Sequence, residues 1–248
     1  AEKQVRSAKV TSLSLRGVRG GVGTSSLLAA VGHALESLGE RVLLIDMCPE
    51  NMLRLHFNLP AADTGGWARA MLDGEDWHAQ AWSLKPTLQV LPYGQLADDE
   101  SDEIERHLRA DPLLWTRRQG SLDRDYDWLL FDLPQRLPGH AAIGPCLLPI
   151  RVAEADAACH VLLHQQASDA PLLVNRFDPA SQLQRDFLLI WRQAYAGQIL
   201  PLTVHADEAL REALAFRQPV GQYATDSLAA QDALSLATWC LTRRGELA

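Results

Sequence analysis

The run Gly17-Val18-Arg19-Gly20-Gly21-Val22-Gly23-Thr24-Ser25-Ser26 places four glycines beside an arginine and three hydroxyl side chains. Glycines tolerate positive φ and close approach, so the backbone N–H groups of this stretch can converge on an anion. A helix opening at Thr24 would add the positive end of its dipole. Ser25 or Ser26 offers a hydroxyl where phosphate-cradling loops place a Mg²⁺ ligand. The lysine that usually completes such a loop is missing. The chain has three lysines, Lys3, Lys9 and Lys85, so the in-loop cation is Arg19.

A phosphate loop needs a strand before it and a helix after it. Val10-Thr11-Ser12-Leu13-Ser14-Leu15 reads as that strand, and helical periodicity holds over 24–38. Arg41-Val42-Leu43-Leu44-Ile45-Asp46 and Asp127-Trp128-Leu129-Leu130-Phe131-Asp132 are two further apolar strands, each ending in an acid. The carboxyl ends of parallel strands face the ligand crevice, so Asp46 and Asp132 are placed to organise the waters around a metal. Together with the loop they point to a Mg-nucleotide site. Leu88–Pro92, Cys146–Val152 (with Pro149 a reservation), Leu172–Asn175 and Ile199–Leu200 read as additional strands. Helical patterns recur at 157–167, 183–195, 207–217 and 227–242, and the polar stretch 93–126 reads as a surface helix flanked by loops. The alternation predicts an α/β fold, a mostly parallel sheet with helices on both faces. No repeat or low-complexity linker divides the chain. The expectation is a loose tail at 1–8 and one P-loop nucleotide-binding domain over 9–248.

Composition narrows the function. At 248 residues and 47% hydrophobic the chain can bury a substantial core. A net charge of −8 argues against general attraction to nucleic acid. No apolar run reaches transmembrane length, and the charged start lacks a signal peptide's apolar segment. Cys48, Cys146, Cys159 and Cys240 form no Cys-x-x-Cys pair, which suggests free thiols in a reduced, cytoplasmic setting. Cys159, His160 and His164 invite a zinc site but lack a complete ligand set, so packing or capping is the expectation. Asp156 reads as an acid at a helix start, with contact to a partner subunit as the alternative. Trp67, Trp77 and Trp82 suit either a partner patch or the core, and Arg54 and Arg69 read as solvated face residues.

These motifs resemble the deviant Walker A ATPases, the class that includes MinD and ParA, whose loop reads Lys-Gly-Gly-Val-Gly-Lys-Thr-Thr. Here Arg19 stands where the signature lysine reaches the partner's nucleotide, Thr24 replaces the ordinary loop lysine, and Ser25 matches the Mg²⁺-ligating hydroxyl. Asp46-Met47-Cys48-Pro49 resembles the family's Asp-x-Asp-Pro run, with Cys48 in place of the acid that orients attacking water. Asp132 matches the Walker B acid, Asn175 an asparagine that often contacts adenine, and Pro201 a later landmark beside Arg217–Gly221. The departures, together with Gly66–Gly74, Leu91–Leu96 and Cys159–Gln166, resemble the BcsQ (YhjQ) family of the bacterial cellulose synthesis and secretion apparatus.

That resemblance implies ATP and Mg²⁺ as cofactors and a homodimer around ATP. It implies partnership with BcsR-like and BcsE-like secretion proteins, and docking on the inner-membrane cellulose synthase complex. A cytoplasmic protein recruited peripherally to the inner membrane follows. The expected binding set is Arg19, Gly20, Gly21, Val22, Gly23, Thr24, Ser25, Ser26, Asp46, Asp132, Asn175 and Pro201. Ser25 would hold Mg²⁺ directly, and Asp46 and Asp132 through water. No catalytic residue is assigned, because Cys48 is a poor substitute for a carboxylate and Thr24 carries no charge. Nucleotide as a slow clamp is therefore the leading expectation. A cycling ATPase that positions cargo and a nucleotide-free scaffold stand as the alternatives.

Overall fold

Eight strands form one sheet in the order β3-β4-β2-β5-β1-β6-β7-β8. They are β1 (Thr11–Gly17), β2 (Val42–Asp46), β3 (Trp82–Lys85), β4 (Leu88–Leu91), β5 (Trp128–Leu133), β6 (Leu148–Glu154), β7 (Leu172–Phe177) and β8 (Ile199–His205). The computed structural model describes residues 10–247, so the tail expected at 1–8 lies outside the described residues. Every neighbouring pair is parallel except β3 with β4. The central strands read as continuous apolar runs because helices cover both faces: β2 and β5 are buried at every position. Alternate residues feed different cores. Val42 and Leu44 pack in one apolar cluster, Leu43 and Ile45 in the other.

The first core lies under α1 (Thr24–Ser37), α5 (Ala157–Gln165), α6 (Gln182–Ala194) and α9 (Leu228–Leu247). The second lies under α2 (Trp67–Asp73), α3 (Asp98–Ala110) and α4 (Leu114–Ser121). Two short helices, α7 (Ala209–Ala215) and α8 (Val220–Tyr223), connect β8 to α9. The second core carries a cation. The Arg118 guanidinium lies 4.6 Å from the Trp77 ring centroid and 4.8 Å from that of Trp115, where the ring quadrupoles offset part of its desolvation. Burial lowers its pKa to about 10.

Several expectations change on inspection. The stretch 93–126 forms two helices, α3 and α4, because Pro112 cannot continue the first one. The edge strand β3 escaped notice because its four residues are mostly exposed and carry no apolar run. Pro149 does sit inside β6. The Arg151 N–H, two residues on, donates to Pro171 O on the β7 side, so the Pro149 nitrogen points to that same side, before β7 begins. No ladder bond is lost there. Trp67 is fully buried and Trp82 lies on the edge strand, so the three tryptophans do not form one patch. Arg69 is not a free surface residue: it pairs with Asp73 and with Glu100 of α3, at 2.6 and 2.7 Å.

The segment after β5 is tied to α3 by a buried network. Glu105 accepts from the Gly139 N–H at 2.9 Å, the His140 N–H at 3.1 Å and the His140 Nδ1–H at 2.7 Å. His140 Nε2 in turn accepts from the Tyr93 hydroxyl at 2.9 Å. This set is complete with a neutral imidazole and an ionised carboxylate. Burial alone would raise the Glu105 carboxyl, but the bonds from His140, Gly139 and Arg109 bring it down to about 2, while burial keeps the His140 pKa below 6.5. Both shifts are depressions, so both contributions are present above the unfolded values of 6.5 and 4.5 and are lost as pH falls through the folded values. Glu105→Gln should lower stability at pH 7 by about 2 kcal/mol, and the deficit should close as pH approaches 2. Denaturant melts of both proteins across pH check this; a deficit independent of pH would show that Glu105 acts by packing alone.

Candidate functional site

The loop between β1 and α1 lies at the carboxyl end of the sheet, where β1 is flanked by β5 and β6 and the strand order turns back on itself. Val22 is buried and roots the loop in the first core, while Gly20 and Gly21 are exposed. Gly21 and Gly23 have φ of 79° and 88°. Gly23 caps α1 without a side chain, and the first intrahelical bond runs from Leu27 N–H to Gly23 O. The N–H groups of Thr24, Ser25 and Ser26 therefore have no acceptor within the helix and open toward the crevice.

Beneath the loop sit the two strand-end acids. Asp46 and Asp132 are aligned residues of adjacent parallel strands and both are fully buried. The Ser25 hydroxyl donates to Asp132 Oδ2 at 2.5 Å, and Asp132 Oδ1 is buried with no hydrogen-bond partner. Asp46 is engaged differently. Its two oxygens accept from Cys48 N–H at 2.9 Å and Leu53 N–H at 3.0 Å, which fixes the loop after β2. Burial pushes the Asp132 carboxyl up to about 7 and raises that of Asp46, with the charge of Asp132 adding to the latter.

Asp46, Cys48 and Asp132 each bring one ligand-type atom within 4.8 Å of the others, the one such cluster among the described residues. A dry pair of acids with one orphaned oxygen beside a serine hydroxyl fits a hard divalent cation held partly through water. The Cys48 thiol lies 3.6 Å from the Asp132 carbonyl oxygen, and burial raises its pKa. It is a protonated filler, not a base or a reactive thiolate. His160 and His164 do not join a ligand set. His160 Nδ1 accepts from Trp191 Nε1–H at 3.0 Å, and His164 Nδ1 bonds to the His160 carbonyl at 2.8 Å.

Two clefts flank the loop. One, of about 490 Å³, is lined by Arg19, Gly20, Gly21, Thr24, Ser25 and Cys48 together with the segment after β5. The other, of about 530 Å³, opens past Gly23 and Ser26 between the ends of β7 and β8. Asn175 lies between the loop and the second cleft. Its Nδ2–H donates to Val22 O at 2.8 Å and its Oδ1 is buried without a partner. Asn175 thus braces the loop and lines the cleft.

Pro201 is not part of this assembly. It lies exposed in the early, irregular half of edge strand β8, where the pairing shifts register between Leu172 and Val174, whereas the loop meets the far end of β7. At the cleft its place is taken by Ala206 and Asp207, which follow the strand. The remaining expected residues, 19–26, Asp46, Asp132 and Asn175, converge.

The structure adds residues that the sequence reading did not assign to the site. Arg19 Nη2 pairs with Glu154 at 2.9 Å and with Asp156 at 2.6 Å, and its Nη1 bonds to Gly20 O. Asp156 also caps α5 through Cys159 N–H at 2.7 Å. Arg176 Nη1 pairs with the other oxygen of Glu154 at 2.6 Å and bonds to Gly21 O at 2.8 Å. Glu154 ends β6 as Asp46 ends β2, so the strand-end rule would have found it had that strand been followed two residues further.

The family model described as "Cellulose biosynthesis protein BcsQ" matches residues 10–241. The BcsQ of Escherichia coli K12 is 42% identical over 234 residues, covering 92% of this chain and 93% of that protein. Two solved structures share the fold. The septum site-determining protein MinD of Pyrococcus horikoshii, complexed with Mg-ADP, superposes with a TM-score of 0.72 at 19% identity, over 92% of this chain and 94% of that one. A ParA family ATPase from Chlorobium tepidum gives 0.71 at 19%, over 93% and 99%. The architecture is the P-loop fold of MinD and ParA.

Proposed function

This chain belongs to the BcsQ family of cellulose biosynthesis proteins, and from that footing we propose that it binds ATP with Mg²⁺, dimerises around the nucleotide and hydrolyses it slowly. The observation that carries the reading is the orphaned Asp132 oxygen, buried beside the Ser25 hydroxyl near the start of α1. The backbone of Gly20 to Gly23 and the first turn of α1 would bind the phosphates. Ser25 would ligate Mg²⁺, and Asp46 and Asp132 would hold its water shell. The ion would supply charge neutralisation across the phosphates when bound. Asn175 would meet the base, and Arg19 would reach the opposite subunit.

What the chain lacks is equally specific. Phosphoryl transfer depends on positioning and charge stabilisation. Thr24 offers a hydroxyl in place of an ammonium, and the neutral Cys48 thiol cannot orient water as a carboxylate does. The nucleotide then serves as a clamp that holds a composite surface. We place that surface in the cellulose synthesis machinery, with BcsR-like and BcsE-like proteins as partners and the inner-membrane synthase complex as the docking site. Recruitment to the membrane would run through those partners. No helix among the described residues is long and apolar enough to cross one.

A single-turnover assay tests the clamp. With MgATP bound, hydrolysis should be very slow, and Cys48→Asp should raise it, by up to roughly 10²-fold if one well-placed catalytic group is restored. Rapid phosphate release from the unaltered chain, abolished by Asp132→Ala, would overturn the slow-clamp reading in favour of a cycling ATPase.

A further inference from the structure

We propose that Arg176 is a phosphate-binding residue of this site, supplying from β7 the positive charge that Thr24 lacks within the loop. The inference rests on the nucleotide reading above and names a residue that reading does not include. Three observations converge on it.

The first is position. Arg176 follows the loop brace Asn175 and lines the cleft with Gly23 and Ser26. Its Nη2 lies 3.3 Å from where a Cβ on Gly23 would sit, at the glycine that caps α1. An anion held by the first turn of α1 arrives beside this guanidinium.

The second is availability. Arg19, the other cation at the loop, has both Nη groups bonded in the free chain, to two carboxylates and to Gly20 O, and is assigned above to the opposite subunit. Arg176 uses only Nη1, on Glu154 and Gly21 O; its Nη2 makes no hydrogen bond among the described residues. With its side chain 35% exposed it can turn without opening the core.

The third is backbone conformation. Arg176 has a φ of 51°, within the register shift between Val174 and Phe177 where β7 is irregular against β8. An irregularity of this kind re-aims the side chain that it carries. The preceding residue, Asn175, is bonded to Val22 O, and Arg176 itself reaches across to Gly21 O. Asn175 lines the same cleft. The ligand class is a nucleoside di- or triphosphate, with the guanidinium donating to a non-bridging oxygen near the α- or β-phosphate. Glu154 would hold Arg176 in the free protein and release it on binding.

Calorimetry with MgADP on the full chain, at concentrations where it sediments as a monomer, tests this. Arg176→Gln should weaken binding by roughly 10- to 100-fold, the worth of one charge-assisted hydrogen bond. Arg176→Lys, which keeps the charge but loses the fork, should fall between. Glu154→Gln, which removes the competitor, should bind at least as tightly as the unaltered chain. Unchanged affinity in Arg176→Gln would overturn the proposal. So would a loss in Glu154→Gln equal to that in Arg176→Gln, since the ion pair would then act only as a loop brace. If the unaltered chain binds no MgADP or MgATP, the nucleotide reading itself fails and takes this inference with it.

Discussion

Gly23→Val should abolish measurable binding of MgATP, with affinity falling by at least roughly 100-fold through strain and lost N–H contacts combined. The residue has a φ of 88°, which a β-branched side chain adopts only at a cost. The first carbon of any side chain would also lie 2.8 Å from Asn175 Nδ2. That amide cannot retreat: it is 1% exposed and already bonded to Val22 O. The loop would have to lift off β7, and the N–H groups of Thr24 to Ser26 would no longer share a focus. Because the loop is at the surface, the melting temperature should change far less than the affinity. Gly120→Ala, in α4 and outside the loop, is the control, since a carbon there meets nothing within 4 Å, and it should bind as the unaltered chain does. Isothermal calorimetry on the three proteins decides the matter. Binding by Gly23→Val within a few-fold of the unaltered chain would mean the loop is not the anion cup.

Residues that follow a periodic rule were readable in the sequence. The parallel core followed from apolar runs ending in Asp46 and Asp132, because burial on both faces leaves no polar positions in such strands. Their adjacency is a consequence of β2 pairing with β5, which no local pattern encodes. Arg19 was found by its place in the loop, but Glu154 and Asp156, 135 and 137 residues away, meet it only through the order of strands. Arg176 was invisible for a related reason: its significance depends on a left-handed turn of the backbone and on the cation missing at Thr24. Pro201 shows the opposite failure. A sequence landmark shared with a family fixes an element, here the edge strand β8, without fixing which end of it faces the ligand.

Arg19→Ala should leave the monomer's nucleotide affinity within roughly threefold while raising the dimer dissociation constant by about 10² or more, two phosphate contacts being lost per symmetric dimer. In the free chain Arg19 is partly exposed and paired with Glu154 and Asp156, contacts of the kind that contribute about 0–1 kcal/mol each. Leaving them for the partner's phosphates is favourable only if the new contact is stronger, and charge-assisted bonds to phosphate contribute about 1.5–3 kcal/mol. The margin is small, so it should depend on how much phosphate charge stands at the interface. MgATP should then support the dimer where MgADP does not, and the difference should vanish in Arg19→Ala. Sedimentation velocity with each nucleotide reads both effects. Equal dimerisation of the two proteins with MgATP would place Arg19 as a tether of the loop within its own subunit, with Glu154 and Asp156 as its permanent partners.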